Sequence, residues 1–280
     1  MKKYPNAQHL ILLTLVLLVY AGCRKPIELD LDTTYTRLVV EGSITDQEQA
    51  HRVVLTLSSE YFTDQPPPPV TGAIVQISDG EQVFLLSEVA PGIYETDPTV
   101  KGVHGKYYTL TITGVDINQD GEIEEYTAID LLKPVMTLDS IVVEPQMPLS
   151  NPPVYKISGW GQEPPTPDDC YQWLYYVNGV LQTDTLNKTI FIDDTFVNGS
   201  YLPGLTMFMN VEAEPGDTIK VATRSLTREY YTFLVTFMLE TVWSQGGGAG
   251  PPANIKGNIS NGALGYFSAH AVTFTSALVP

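Results

Sequence analysis

An acidic stretch in the middle of the chain has the residue types and spacing of a calcium loop. In VDINQDGEIEEYT, oxygen-bearing side chains recur at alternate positions around Gly121. The candidate ligands are Asp116, Asn118, Asp120, Glu122 and Glu124. Ca²⁺ takes oxygen ligands at such positions, and glycine permits the sharp turn between them, but Thr127 stands where an EF-hand has its bidentate glutamate. Two interpretations remain: a weak structural calcium site, or an acidic hairpin loop with an Asp-Gly turn.

Residues that perform acid–base chemistry are present but isolated in the sequence. The pairs Asp168-Asp169 and Asp193-Asp194 put adjacent side chains on opposite faces of a strand, so neither pair alone forms an acid–base couple. The histidines that follow the leader are far apart, at His51, His104 and His270, and no HExxH, paired-cysteine or GxSxG motif occurs. We therefore predict that the protein is not an enzyme. A degenerate hydrolase, in which two distant acids meet as a glycosidase pair, stays open as an alternative.

The run CYQWLYYVNG predicts a strand with aromatic residues on both faces. Alternation places Tyr171, Trp173 and Tyr175 on one face and Gln172, Leu174 and Tyr176 on the other. One face belongs to the core, and the other is either core as well or exposed, where it would stack sugars or pack on a partner. Cys170 begins the run, and we predict that it is buried and inert, with a reactive thiol as the alternative.

The N-terminus has the pattern of a bacterial export signal that ends at a lipidated cysteine. Lys2 and Lys3 precede an apolar run over residues 10–21, which is shorter than the roughly 20 residues that span a bilayer. The ending Ala-Gly-Cys resembles a lipobox, with Tyr20 where leucine is usual. We predict a signal peptide over residues 1–22, acylation of Cys23 with chains such as palmitate, and a tether over residues 23–35. The alternative is a plain secretory signal with an incidental cysteine.

The charge of the chain excludes two classes of partner. It has 32 acidic and 15 basic residues and a net charge of −17. Such a chain repels nucleic acid phosphates, and it has no basic patch to hold an anionic lipid surface. Attachment to a membrane therefore depends on the lipid at Cys23.

Short alternating segments separated by turn pairs predict a mainly β fold. We predict a β-sandwich over residues 36–135, with a hairpin at Asp79-Gly80. The segment from Val70 to Gly114 resembles the prealbumin-like sandwich of carboxypeptidase regulatory domains, so the expected sandwich is Ig-like or prealbumin-like. Prolines between residues 147 and 154 mark a boundary, and residues 136–280 form a second β-rich domain. Apolar residues at three- to four-residue spacing predict one amphipathic helix near residues 227–242, with Thr227 as its N-cap.

Several segments, taken in order, resemble one known family. They are the lipobox cysteine with PIELDL, then LVVEGSITD, PVTGAIVQISDG, GIYETD, GKYYTLTITG, SLTREYYTFLVTF and NISNGALGYFSAH. Together they are similar to the Bacteroidetes lipoproteins grouped as domain-of-unknown-function family 4249. Genes of this family often lie beside TonB-dependent outer-membrane transporters, so the resemblance implies a lipid-anchored outer-membrane protein on either the periplasmic or the exposed side. The family has no established activity, and the resemblance therefore implies no catalytic residues.

These features together predict a non-enzymatic accessory of a TonB-dependent transporter that captures a ligand or helps to gate the channel. Its expected partners are the transporter and, through the anchor, the outer membrane. No cofactor is expected beyond the structural calcium considered above. One alternative is a surface adhesin or glycan-binding lipoprotein that acts without a channel, and the second is the degenerate hydrolase.

Overall fold

The computed structural model describes residues 36–59, 65–147, 151–240 and 255–280. The predicted signal peptide, Cys23 and the predicted tether lie outside the described residues. Among the described residues, no helix is both long and apolar enough to cross a membrane. Lipidation and localisation therefore stay predictions from the sequence.

In the strands of the first region, buried residues alternate with outward-facing ones. In Tyr107–Val115, Tyr108, Leu110 and Ile112 are buried and the threonines between them face outward, as a half-buried strand requires. The first seven strands are β1 (Leu38–Thr45), β2 (Arg52–Leu57), β3 (Ile74–Ser78), β4 (Val83–Ala90), β5 (Ile93–Glu95), β6 (Tyr107–Val115) and β7 (Glu124–Leu131).

The eighth strand of this first sheet comes from far along the chain. The strand order is β15-β1-β2-β5-β4-β3-β6-β7, where β15 is Leu264–His270. Strands β1 and β15 run parallel, and Val40 pairs with Gly265. Gly265 has φ = 93°, and a Cβ at this position would meet the carbonyl oxygen of Val40. Only glycine fits this backbone angle and this close approach without strain.

The second region consists of two smaller sheets. One has the order β13-β9-β8, from β8 (Leu138–Met147), β9 (Val154–Gln162) and β13 (Tyr201–Glu212). The other has the order β11-β10-β14-β16, with β12 paired to β10, from β10 (Cys170–Val177), β11 (Val180–Leu181), β12 (Ile190–Asp193), β14 (Thr218–Leu226) and β16 (Val272–Leu278). The Thr273 hydroxyl donates to the Met136 carbonyl at 2.9 Å and so joins β16 to the residues before β8.

A single α-helix, α1 (Arg228–Met238), follows β14 directly within the described residues. Thr227 is its N-cap, as predicted, because the Thr227 hydroxyl oxygen accepts the Tyr230 N–H at 3.4 Å. Leu234 is the buried residue of the helix, which contacts β10 and β14. The α-helix ends before the predicted limit near residue 242, and residues 241 and 242 lie outside the described part.

The described residues form two large hydrophobic cores, which come from different parts of the chain along most of its length. The first contains apolar side chains of β1 to β7, and the second contains those of residues 136–221 together with Val279. The chain passes from the first core to the second between Leu132 and Met136, and residues 259–271 belong to the first core again. Residues 36–280 form one compact unit. The prediction of a mainly β fold with one helix is confirmed, whereas the division into two domains stays a prediction.

Candidate functional site

The two carboxylate pairs that the sequence singled out meet at one end of the second region. Strand β10 pairs with β12, and Cys170 lies opposite Asp193. The Asp169 N–H donates to the Asp194 carboxylate at 3.1 Å, and the Asp194 N–H donates to the Asp169 carbonyl at 3.0 Å. Strand pairing thus brings together acids that adjacency alone could not couple. We call Asp168, Asp169, Asp193 and Asp194 the acidic cluster.

Two cations neutralise part of the acidic cluster. Arg228, the first residue of α1, lies 2.8 Å from Asp193 and 3.4 Å from Asp168. The Lys133 ammonium lies 2.8 Å from the Asp169 carboxylate. Hydrogen bonding to Arg228 holds the pKa of Asp193 below its ordinary value. A carboxyl group that is kept ionised in this way is a poor general acid, so the arrangement fits an ion-pair network that joins α1 to the loops.

A further carboxyl group, Glu163, lies beside the acidic cluster but has no accessible surface. The Tyr171 hydroxyl donates to it at 3.1 Å, and the Gly199 N–H donates at 2.6 Å. Burial raises the pKa of Glu163, so one raised and one lowered carboxyl pKa occur close together, as in many hydrolases. A general acid must nevertheless come within hydrogen-bond reach of its substrate, and Glu163 is enclosed. This geometry lends no support to the degenerate-hydrolase alternative.

The three histidines are engaged in separate parts of the fold. The Nε2 atom of His51 lies 3.1 Å from the carbonyl oxygen of Val100, and burial lowers the pKa of His51. His270 is buried, and burial lowers its pKa well below the ordinary value. His104 pairs with Asp46 at 2.9 Å on the surface. The Nδ1 atom of His270 lies 3.5 Å from the Ser268 hydroxyl, but both residues are buried, so this pair is closed to a substrate.

The side chains of the candidate calcium loop contact the loop's own backbone. The Asp116 carboxylate accepts the Gly121 N–H at 2.9 Å, the Asp120 carboxylate accepts the Glu122 N–H at 2.8 Å, and the Glu124 carboxylate accepts the Ile117 N–H at 2.9 Å. Within the described ranges, no three His, Cys, Asp or Glu side chains are grouped so that they could hold a metal ion. Calcium binding stays a prediction: a higher melting temperature in millimolar Ca²⁺ would support it, and an unchanged one would favour the acidic hairpin.

The aromatic strand β10 places its two faces in different surroundings. Tyr171 and Trp173 belong to the second core, and Trp173 is 2% exposed. On the other face Leu174 is buried and Tyr176 is partly exposed. Cys170 is buried, as predicted, and burial raises the pKa of its thiol to about 11. A raised pKa disfavours the reactive thiolate, and the inertness of Cys170 stays a prediction.

Tyr176 belongs to a group that the sequence analysis did not identify. The Lys220 ammonium lies 5.0 Å from the centroid of the Tyr176 ring and 4.9 Å from that of Phe274. Arg224 lies on the same side of β14, and its Nε is buried without a hydrogen-bond partner. We call Tyr176, Lys220, Arg224 and Phe274 the cation–aromatic face. The alternation in TIKVATRSL could have revealed it, since Lys220 and Arg224 share a face opposite the buried Ile219 and Val221.

The first region presents an exposed apolar surface. Its large side chains are 57% to 67% exposed and lie on the outward side of β3, β4, β6 and β7. They are Ile74, Val83, Leu85, Tyr107 and Ile129, and we call them the apolar face. Threonines lie between them, and by alternation Glu125 is the charged residue that points outward from these four described strands.

A buried carboxyl group connects the first sheet to α1. Asp130 on β7 accepts the Thr227 hydroxyl at 2.9 Å and the Ala269 N–H at 2.8 Å. Burial raises the pKa of Asp130 to about 6. No motif in the sequence marks Asp130, although Tyr126, Ala128 and Asp130 share one face of β7, and this pattern places the acid inside.

The chain is distantly similar to two solved structures of β proteins. A cytokine receptor complex is 7% identical, with 69% of this chain and 86% of that chain covered and a TM-score of 0.24. A two-domain fibronectin type-III segment from chicken tenascin is 13% identical, with coverages of 69% and 91% and a TM-score of 0.19. Scores this low support no functional argument.

No protein with a curated description matches the sequence. The family model described as Domain of unknown function (DUF4249) matches residues 24–276, which is nearly the whole chain. The protein therefore belongs to the DUF4249 family.

Proposed function

We propose that the protein is a non-enzymatic, lipid-anchored accessory of an outer-membrane TonB-dependent transporter. Cys23 would attach it to the membrane, and the body would capture a ligand or help to gate the channel. The motif around Cys23 and the gene neighbourhood implied by the family resemblance support the location and the partner. The engagement of Asp193, Glu163 and Cys170 in structural contacts supports a role in binding over a role in catalysis.

The apolar face is the observation on which this proposal depends most. Exposed apolar patches of this kind mark interaction sites on soluble proteins. The register places Leu85 next to Gln76, and Ser78 lies between Val83 and Thr109, so uncharged polar residues lie between the apolar side chains across the strands. A chain with a net charge of −17 that leaves one sheet face almost uncharged has a surface suited to a close-fitting protein partner.

Affinity purification of the full-length lipoprotein tests this proposal. We would tag its C-terminus, solubilise outer membranes in mild detergent, and compare wild type with Leu85→Asp and Ile129→Asp. We expect a TonB-dependent barrel to co-purify with the wild type, and at least a tenfold loss of it in both variants. Burying an unpaired charge at an interface costs several kcal/mol, and each 1.4 kcal/mol corresponds to tenfold in affinity.

Val180→Asp is the matched control, because Val180 is 63% exposed in the second region and lies outside the apolar face. It should retain the barrel at the wild-type level. If the wild-type protein elutes alone, the accessory role is wrong and an adhesin or glycan-binding role becomes the better explanation. If the barrel stays bound to all three variants, the role survives but the apolar face is not the contact.

A further inference from the structure

We propose that the cation–aromatic face binds a carboxylated saccharide, with the carboxylate on Arg224 and a sugar ring against Tyr176 and Phe274. The proposal is independent of the transporter role, because it concerns a different surface and a different class of ligand.

Unpaired positive charge indicates an anionic ligand. Six of the 11 lysines and arginines in the described residues form ion pairs with carboxylates of those residues, among them Lys106, Lys133 and Arg228. Lys220 and Arg224 form no ion pair with any described residue, and no acidic residue points outward from the described β10, β14 and β16. A guanidinium that is largely removed from water without an anion is costly, and a bound carboxylate would remove much of that cost.

The position of Arg224 directs this charge toward the aromatic residues. Its Nε atom is buried and has no hydrogen-bond partner, whereas part of the side chain remains accessible. Tyr176 on β10 and Tyr230 on α1 lie close enough to Arg224 to interact with it electrostatically. Arginine binds carboxylates through two parallel hydrogen bonds, so the missing partner matches this group.

The rings indicate a ligand with a flat body. Lys220 lies between Tyr176 and Phe274, and the ring of Phe274 is 46% exposed. Lys220 and Arg224 are four residues apart on β14, so their Cα atoms are separated by about 13 Å. Both charged groups extend toward Tyr176, so a ligand that contacts both cations also meets the Tyr176 ring. A short chain of sugar rings with carboxylates has these features.

Backbone pairing argues for a saccharide over a peptide. Strand β14 pairs with β10 on one side and with β16 on the other along nearly its whole length. Its N–H and C=O groups are thus occupied, so an incoming peptide finds no free strand edge at β14, which carries both cations, and the edge strand next to it in this sheet is β16. Recognition must come from side chains, which here are two cations and two rings.

Binding of a short galacturonic acid oligomer to the full-length protein in detergent micelles tests the proposal. We would measure it by isothermal calorimetry, with an uncharged galactose oligomer and a short polyaspartate peptide as comparison ligands. We expect binding of the uronate and none of the neutral oligomer. Arg224→Met should weaken binding about tenfold or more, because a charge-assisted contact is lost. Lys220→Met should weaken it by a smaller factor.

Lys156→Met is the control, since Lys156 is a partly exposed lysine that pairs with Glu144 in the other sheet. It should bind the uronate as wild type does. Arg224→Lys keeps the positive charge but removes the two parallel hydrogen-bond donors of the guanidinium. Partial binding by this variant would separate loss of charge from misfolding. The proposal is overturned if the wild type does not bind the uronate, if polyaspartate binds more tightly, or if folded Arg224→Met binds as wild type does.

Discussion

Two carboxyl groups on either side of the α1 N-terminus behave in opposite ways. Asp130, from the first sheet, accepts the hydroxyl of the cap residue Thr227, and it is buried without a cation beside it among the described residues. Asp193, from the second region, lies 2.8 Å from Arg228, the next residue along the chain. Burial raises the pKa of Asp130, whereas hydrogen bonding to Arg228 lowers the pKa of Asp193.

The difference shows that the effect of a carboxyl group on stability depends on its burial and on its ionic partner, and not on its residue type. Consecutive residues Thr227 and Arg228 hold one carboxyl group from each region, so the start of α1 links the first sheet to the acidic cluster. Below its ordinary pKa, Asp130 is neutral and fits its site, and above about pH 6 it is charged in a buried site. Asp193 stabilises the folded state most when it is ionised. The link through Asp130 should therefore weaken as the pH rises, and the link through Asp193 should weaken as the pH falls.

The largest expected effect comes from breaking the strand that supplies the Ala269 N–H to Asp130. Gly265→Ala should lower the free energy of unfolding by about 3 kcal/mol, because it combines backbone strain with a clash against Val40. Urea unfolding measures this loss. Gly80→Ala is the control: Gly80 has φ = 87°, but no atom lies within 4 Å of the position that an alanine methyl group would take, so about 1 kcal/mol is expected from strain alone. Equal losses in the two variants would show that the contact with Val40 is unimportant.

Asp130→Asn should change how stability depends on pH. In the wild type, the raised pKa means that the folded state binds the proton more tightly than the unfolded state does. Stability from this group is therefore present below about pH 4 and is lost as pH rises to about 6, by about 3 kcal/mol in all. Unfolding free energies across this range should fall in the wild type relative to Asp130→Asn. A constant difference between the two proteins would contradict the raised pKa.

Asp193→Asn should show the opposite sign with a smaller size. The lowered pKa means that the stabilisation by Asp193 is present above the ordinary value of 3.8 and is lost as pH falls below it. The loss should be about 1 kcal/mol, because the Arg228 ion pair is partly exposed. The same unfolding series, extended into acid, measures it. A variant that loses as much stability as the wild type on acidification would show that other acids are responsible.

The smallest expected effect concerns the Cys170 thiol, which lies on the Asp193 side. In the native protein it should react with a thiol reagent only during local opening, because it is buried and protonated. Arg228→Met should increase the labelling rate several-fold, and Asp130→Asn should leave it near the wild-type value. Equal acceleration by both variants would show that the two links open together.

Local patterns predicted much of the fold but less of the sites. Alternation predicted the strands, and Thr227 was identified as the cap from its position before an apolar stripe. The parallel pairing of β1 with β15 had no local signal, because it joins segments from distant parts of the chain. The acidic cluster likewise depends on the pairing of β10 with β12. By contrast, Lys220 and Arg224 could have been recognised from alternation, since both interrupt the apolar pattern on one face.

The pairing of β1 with β15 also has a consequence for biogenesis. The chain is synthesised from its N-terminus, so β1 emerges long before the strand that completes its sheet. The first sheet must then wait with one edge unpaired, and unpaired strand edges attract other chains. We expect the protein to need a chaperone until residue 270 has emerged, and nascent chains that stop before β15 to be degraded.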